Sequence, residues 1–374
     1  MRLARPDAVW IWGNSSVREK LSWYYQVMTD RMPSRFVICK KVAVEGPLEA
    51  MRDGDLWRLH ERASRDSRDL QRRICKGEES LRELQSPYPS FLDLKVELVF
   101  RMLKACSFCE WRCGIDRAAD KFGVCKLKST SRLHSAFHHF GEESPLIGEN
   151  QGGSGTIFFS GCTFHCVFCQ NYDCSLDPES GRDISPMELS AVITRLRREG
   201  VANVNFVGGD PVPNMHNVLA ALNHTDVNVP TVWNSNMYSS DEGMKLLLEV
   251  TDFWLPDFKF GNDECARRLA RVKDYVRVVG RNHLLAYEGG NMIVRHLVMP
   301  NHLDCCTKPV LDFLAEKMPG VLVNVMDQYY PANEVVRDRS RWKDISRRLR
   351  SQEAREAWEY ARTLGLDFEA ISMA

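Results

Sequence analysis

Three cysteines, Cys162, Cys166 and Cys169, stand at C-x3-C-x2-C spacing directly after the apolar run 156–161, TIFFSG. Three thiolates in one short loop can hold three irons of a four-iron cluster and leave the fourth with open positions, unlike a closed electron-transfer cluster with four cysteine ligands. Gly161 permits the turn out of the strand. The competing reading is a zinc knuckle, or a closed cluster with Cys174 as fourth ligand. Zinc sites favour paired C-x2-C units with a separate second pair, which this loop lacks. An iron with open positions can chelate the amino and carboxylate groups of S-adenosylmethionine. An electron delivered through the cluster then breaks the sulfonium C–S bond and releases a 5′-deoxyadenosyl radical.

The rest of the chain narrows the setting. Among 374 residues there are 13 cysteines. No sustained apolar stretch or small-residue cleavage site follows the basic start MRLAR, so a disulfide framework is not expected and clustered thiols point to metal. Lys plus Arg balances Asp plus Glu at 50 each, and no global field favours nucleic acid or an anionic membrane. The apolar runs are too short to span a bilayer, and a cytoplasmic protein is the expectation. Cys39, Cys75, Cys265, Cys305 and Cys306 read as ordinary thiols.

Residues 1–100 carry helical patterning, with Leu56, Leu59, Ala63, Leu70 and Ile74 on one stripe. The charges of 62–83 read as a solvated helix face. Residues 101–150 form a cysteine-rich segment and linker. In 151–374, short apolar strands (156–161, 203–209, 231–236, 253–260, 292–300 and 322–330) alternate with amphipathic helices. Six strands with helical crossovers define an α/β class: a parallel βα-barrel, partial or full, with a helical N-terminal extension. In such barrels the chemistry sits at the C-terminal strand ends.

Several of those ends carry the right groups. GTIFFSGC, NVNFVGGDPVP, VWNSNMY, LPDFKFGND, VRHLVMPNH and NVMDQYYPA occur in this order. Together they resemble the radical S-adenosylmethionine superfamily, in the group related to pyruvate formate-lyase activating enzyme. The resemblance implies that Gly208, Gly209 and Asp210 meet the cosubstrate's amino group. Bare backbone at the glycines allows close approach, and Asp210 stands where the family usually has Glu. It further implies that Ser235 and Asn236 lie near the ribose or methionine tail. Lys259 would pair with the cosubstrate carboxylate, with Asp257 as its acidic partner, and Phe168 would offer its backbone to the adenine. Arg295 is a further candidate for the carboxylate or the substrate. Asn234 replaces an Asp that helps bind a monovalent cation in many activating enzymes. Gln328 and Tyr329 are candidates for the substrate end.

A second set, Cys106, Cys109, Cys113 and Cys125, can hold a structural zinc or an auxiliary iron–sulfur cluster, and the spacing does not separate the two. In the connecting stretch 138–153, His138, His139, Glu142 and Glu143 read as exposed linker residues. The expected function is an oxidoreductase that reductively cleaves S-adenosylmethionine and abstracts hydrogen from a peptide, protein or small molecule. Activation of a glycyl radical enzyme is one form of that reading, and the resemblance implies a reductant such as ferredoxin or flavodoxin. The alternative class is a non-catalytic iron–sulfur or zinc module that carries electrons or serves as a scaffold.

Overall fold

A computed structural model describes residues 5–81 and 83–372 of the chain. Most of the basic N-terminal stretch considered above, residues 1–4, lies outside the described residues. Four strands, β2 (Ser154–Phe159), β4 (Asn203–Gly208), β5 (Thr231–Ser235) and β6 (Phe253–Pro256), pair in parallel in that order. A second parallel pair, β7 (Ile293–Leu297) and β8 (Leu322–Met326), continues the run. Parallel bridges Trp254–Met292 and Asp257–Arg295 join β6 to β7. These are the six strands read from the apolar runs. They form a partial barrel, since among the described residues no ladder returns from β8 to the first edge.

Two differences have physical causes. The run 253–260 stops being strand at Pro256, which has no N–H for the ladder. Beyond it, Asp257 donates its N–H to Ser235 O (2.9 Å) and Phe258 to Arg295 O (2.9 Å), so the strand end peels over its neighbours. Two further strands were not expected. β1 (Ser131–His139) pairs antiparallel with β2, and β3 (Arg182–Ile184) pairs antiparallel with β1. The stretch 138–153 therefore begins inside a sheet rather than in a free connector.

The N-terminal helices pack on the sheet in two apolar cores, a large one and a smaller one in which Trp12, Val17 and Tyr24 meet Val232, Phe253 and Ile293. Helix Asp53–Cys75 buries Leu56, Leu59, Ala63, Leu70 and Ile74, the stripe its periodicity defines. Helix Phe91–Lys104 starts at a capping box in which Ser90 and Asp93 exchange hydrogen bonds. Helix Pro186–Arg198 starts the same way, with Ser185 and Glu188 around Pro186.

One buried ion pair ties the extension to the sheet's covering helices. Lys95 Nζ is fully buried and lies 3.0 Å from Glu249 Oε2, and it also donates to Lys245 O (3.0 Å) and Leu246 O (3.1 Å). Burial, with Lys95 beside it, holds the His60 imidazole well below its ordinary pKa, so the neutral ring meets Lys95 Nζ at 3.0 Å. Lys95→Met leaves Glu249 without its buried cation, with the exposed Arg68 guanidinium at 3.4 Å as its remaining ion-pair partner. The expected loss is ~3–5 kcal/mol of stability, checked by urea denaturation; Glu249→Gln added to Lys95→Met should recover part of it.

Candidate active site

The cysteine loop leaves β2 through Gly161, whose φ of 81° is the left-handed turn the sequence suggested. Cys162, Cys166 and Cys169 then line one cavity of about 260 Å³ at the C-terminal ends of the parallel strands. Phe168, Gly208, Gly209, Asp210, Ser235, Asn236, Asp257, Lys259 and Arg295 line the same cavity, with Asn234 and Gln328. Tyr329 does not: its ring is buried and its hydroxyl donates to Ile345 O (2.7 Å), which makes it a packing residue.

Donors are aimed at two of the three thiols. Cys162 Sγ faces the Phe164 N–H at 3.3 Å and Asn236 Nδ2 at 3.7 Å, while Cys169 Sγ lies 3.1 Å from Ser175 Oγ. Burial pushes all three thiols up, so their thiolate forms call for a bound cation. Among the described residues, the single group of ligand-type side chains with all ligand atoms within 4.8 Å lies elsewhere in the fold. The loop thiols stand wider, as a multi-iron cluster requires and a single ion does not. The donor set and its spacing fit an iron–sulfur cluster.

Around the thiols the polar groups brace each other. Asp210 accepts from Val212 N (2.9 Å), Asn236 N (3.0 Å) and Ser235 Oγ (3.1 Å). Burial pushes its carboxyl up to about 6 despite these donors. Asn236 also reaches Thr163 Oγ1 (2.8 Å), tying the β5 loop to the cysteine loop. Lys259 Nζ lies 2.6 Å from Asp257 Oδ2, and Arg295 Nε lies 3.0 Å from Asp257 Oδ1. Although burial opposes it, Arg295 and Lys259 hold the Asp257 carboxyl below its usual range. Arg295 also donates to Asn234 Oδ1.

Beyond Arg295 the cavity continues into a second chamber of about 430 Å³ inside the barrel. Its walls include Arg5, His139, Glu142, Glu143, Asn324 and Gln328. This corrects the expectation for Glu142 and Glu143, each only 8% exposed. Their burial is balanced by partners: Asn205 Nδ2 donates to Glu142 (3.1 Å) and Asn324 Nδ2 to Glu143 (3.0 Å). Burial pushes the Glu143 carboxyl up, whereas His139 and Arg295 overcome burial to hold Glu142 down.

The four-cysteine set lies against the outer side of the cysteine loop. Trp111 Nε1 donates to Thr163 O (2.8 Å), and the Glu110 N–H to Tyr238 O (3.1 Å). Arg117, fully buried, donates to Lys128 O and Pro213 O and reaches Cys106 Sγ at 3.8 Å. A hydrogen bond with Cys106 draws the Cys113 thiol down to about 5 and pushes Cys106 up.

Residues 156–314 match the family model described as the Radical SAM superfamily. The chain therefore contains a radical S-adenosylmethionine domain, the mark of a class of enzyme that carries a four-iron cluster and uses S-adenosylmethionine, a reductant and a substrate. It is 40% identical over 354 residues to an uncharacterised protein of Methanocaldococcus jannaschii (MJ0674), covering 93% of this chain and 98% of that one. It is 26% identical over 153 residues to pyruvate formate-lyase 1-activating enzyme of Escherichia coli, covering 39% of this chain and 61% of that enzyme. The solved structure of Streptococcus suis SuiB bound to S-adenosylmethionine aligns with a TM-score of 0.41 at 15% identity, over 55% of this chain and 47% of that one. Among the described residues no helix is long and apolar enough to cross a membrane.

Proposed function

We propose that this chain holds a four-iron cluster on Cys162, Cys166 and Cys169, cleaves S-adenosylmethionine reductively, and abstracts hydrogen from a polar substrate that reaches the inner chamber. The observation that carries the reading is convergence: three thiols, two bare glycines and the Asp257–Lys259 pair face one cavity. Cys162, Cys166 and Cys169 would hold the cluster, which when bound would supply the one-electron reduction that splits the sulfonium into methionine and a 5′-deoxyadenosyl radical.

The chain's own residues hold and orient. Gly208 and Gly209 offer backbone carbonyls to the cosubstrate ammonium with no side chain in the way. Lys259 turns from Asp257 to the cosubstrate carboxylate, and Asp257 stays ionised through Arg295. Asp210 fixes Ser235 and Asn236, so their polar groups stand at the ribose and methionine tail, while Phe168 presents its backbone to the adenine. Arg295, between the two chambers, is the residue placed to meet a substrate anion. Glu142, Glu143 and Asn324 on the far wall suit a polar reacting group rather than a hydrocarbon.

Activation of a glycyl radical partner is the more specific reading, and its support is the likeness to pyruvate formate-lyase 1-activating enzyme. A glycyl radical signal on a co-incubated partner is its signature. Cys106, Cys109, Cys113 and Cys125 would hold a structural zinc or an auxiliary iron–sulfur cluster, and iron and zinc content per chain separates the two.

Lys259→Met tests the cosubstrate assignment. A lost charge-assisted hydrogen bond costs ~1.5–3 kcal/mol, so KM for S-adenosylmethionine should rise about 10–150-fold, with iron content unchanged. Steady-state 5′-deoxyadenosine formation against cosubstrate concentration measures it; an unchanged KM contradicts the role.

A further inference from the structure

Outside the active site, the fold brings Cys265 against three side chains some 37 to 41 residues further on, His302, Cys305 and Cys306. Cys265 sits in the first turn of helix Asp263–Ala270, just after β6. His302, Cys305 and Cys306 come from the connection after β7, in and before the widened helical turn Leu303–Thr307. Their ligand atoms all lie within 4.8 Å of one another, and Cys265, His302 and Cys306 are buried.

The spacing is that of a tetrahedron around one ion. Zinc–sulfur bonds of about 2.3 Å and zinc–nitrogen bonds of about 2.0 Å give edges of roughly 3.8 Å between sulfurs and roughly 3.5 Å between sulfur and nitrogen. Cys305 Sγ lies 3.9 Å from both Cys265 Sγ and Cys306 Sγ. His302 Nδ1 lies 3.7, 3.1 and 3.8 Å from Cys265, Cys305 and Cys306. A disulfide, with sulfurs about 2.05 Å apart, accounts for neither the distances nor the histidine.

The other side of the imidazole supplies an independent sign. His302 Nε2 lies 3.0 Å from Asp344 Oδ2 and 3.2 Å from Arg268 Nη2; with its proton on Nε2 toward the carboxylate, the ring turns the Nδ1 lone pair to the thiols. Metal-ligating histidines are held in this way by a carboxylate behind the ring. Asp344 is anchored in turn by Arg268. Asn262 completes the frame, accepting from Cys265 N (2.8 Å) and donating to Cys305 O (2.7 Å). The turn itself is widened, with Thr307 N donating to His302 O five residues back (3.1 Å); such turns gather at functional sites.

We propose that Cys265, His302, Cys305 and Cys306 bind a structural zinc ion that clamps the loop after β6 to the loop after β7. Four protein ligands leave no open position, which separates this site from a catalytic zinc. The clamp lies directly behind the strand end that carries Asp257 and Lys259. Gly261, between them and Cys265, is packed so closely that a Cβ there would lie 2.8 Å from Cys305 O.

The test is zinc content with zinc-edge X-ray absorption on the full chain, purified without oxygen from zinc-supplemented growth. It is run on the native chain, on Cys109→Ser, which breaks the four-cysteine set, and on His302→Ala. The expected result is about one zinc in a shell of three sulfurs near 2.3 Å and one nitrogen near 2.0 Å. That zinc survives Cys109→Ser and falls by roughly tenfold or more in His302→Ala. A native chain without zinc, a shell of four sulfurs that vanishes in Cys109→Ser, or zinc undiminished in His302→Ala would overturn the proposal. If His302→Ala fails to fold, the shell seen in the native chain and in Cys109→Ser decides alone.

Discussion

Replacing Cys166 with alanine is expected to abolish 5′-deoxyadenosine formation and to strip iron from the cysteine loop. Cys166 is buried in the middle of that loop, whose backbone is pinned by Asn333 Nδ2 donating to Cys166 O (3.1 Å). The loop therefore cannot shift to offer another thiol. Cys174 is no substitute, because its Sγ faces Asn171 O at 3.3 Å. Losing a residue behind a metal ligand costs up to ~100-fold, and losing one of three ligands should cost more. Iron content and product formation are measured together. Cys75→Ala, at an exposed thiol, should change neither. A Cys166→Ala protein that keeps its iron and its turnover would contradict the ligand assignment.

The second large effect is expected at Gly209. A Cβ there would lie 2.1 Å from Gly161 O and 2.9 Å from Ser175 Cα. Both neighbours are backbone, so no rotamer change relieves the overlap. The contact is held by Gly209 N donating to Phe159 O (2.9 Å) and Asp210 N to Gly161 O (3.0 Å). Gly209→Ala must push the β4 end away from the start of the cysteine loop. It should cost about 3 kcal/mol or more and lower iron retention along with stability. Gly200→Ala is the control: φ is 94° and nothing lies within 4 Å of the added Cβ. Only backbone strain of ~1–2 kcal/mol is expected there, with iron content unchanged. Denaturation midpoints and iron assays on the two variants separate overlap at the site from glycine loss in general.

These two positions also show what the sequence made legible. Cys162, Cys166 and Cys169 need no long-range information, since one loop carries all three. Gly208 and Gly209 close one apolar run, and Asp257 and Lys259 stand at the end of another, so the runs themselves put each pair at a strand end. What escaped depended on distant partners. Strand β1 reads SRLHSAFHH, and only Ser131 and Leu133 are buried along it, so its alternation is faint. Glu142 and Glu143 look like solvent-facing charges until Asn205, Asn324 and Arg295, from three different strands, are placed around them. Cys265, Cys305 and Cys306 read one by one as ordinary thiols, because a whole βα unit separates the first from the others. The fold, not the spacing, makes them a set with His302.

The central claim is that the strand ends assemble a site for reductive cleavage of S-adenosylmethionine. Its most direct test reconstitutes the chain with iron and sulfide in the absence of oxygen, reduces it with dithionite, adds S-adenosylmethionine and measures 5′-deoxyadenosine by chromatography. The account predicts 5′-deoxyadenosine and methionine in equal amounts, formed by the native chain and not by Cys166→Ala. A fully loaded, reducible cluster that yields no 5′-deoxyadenosine would contradict it and leave an iron–sulfur module without this chemistry.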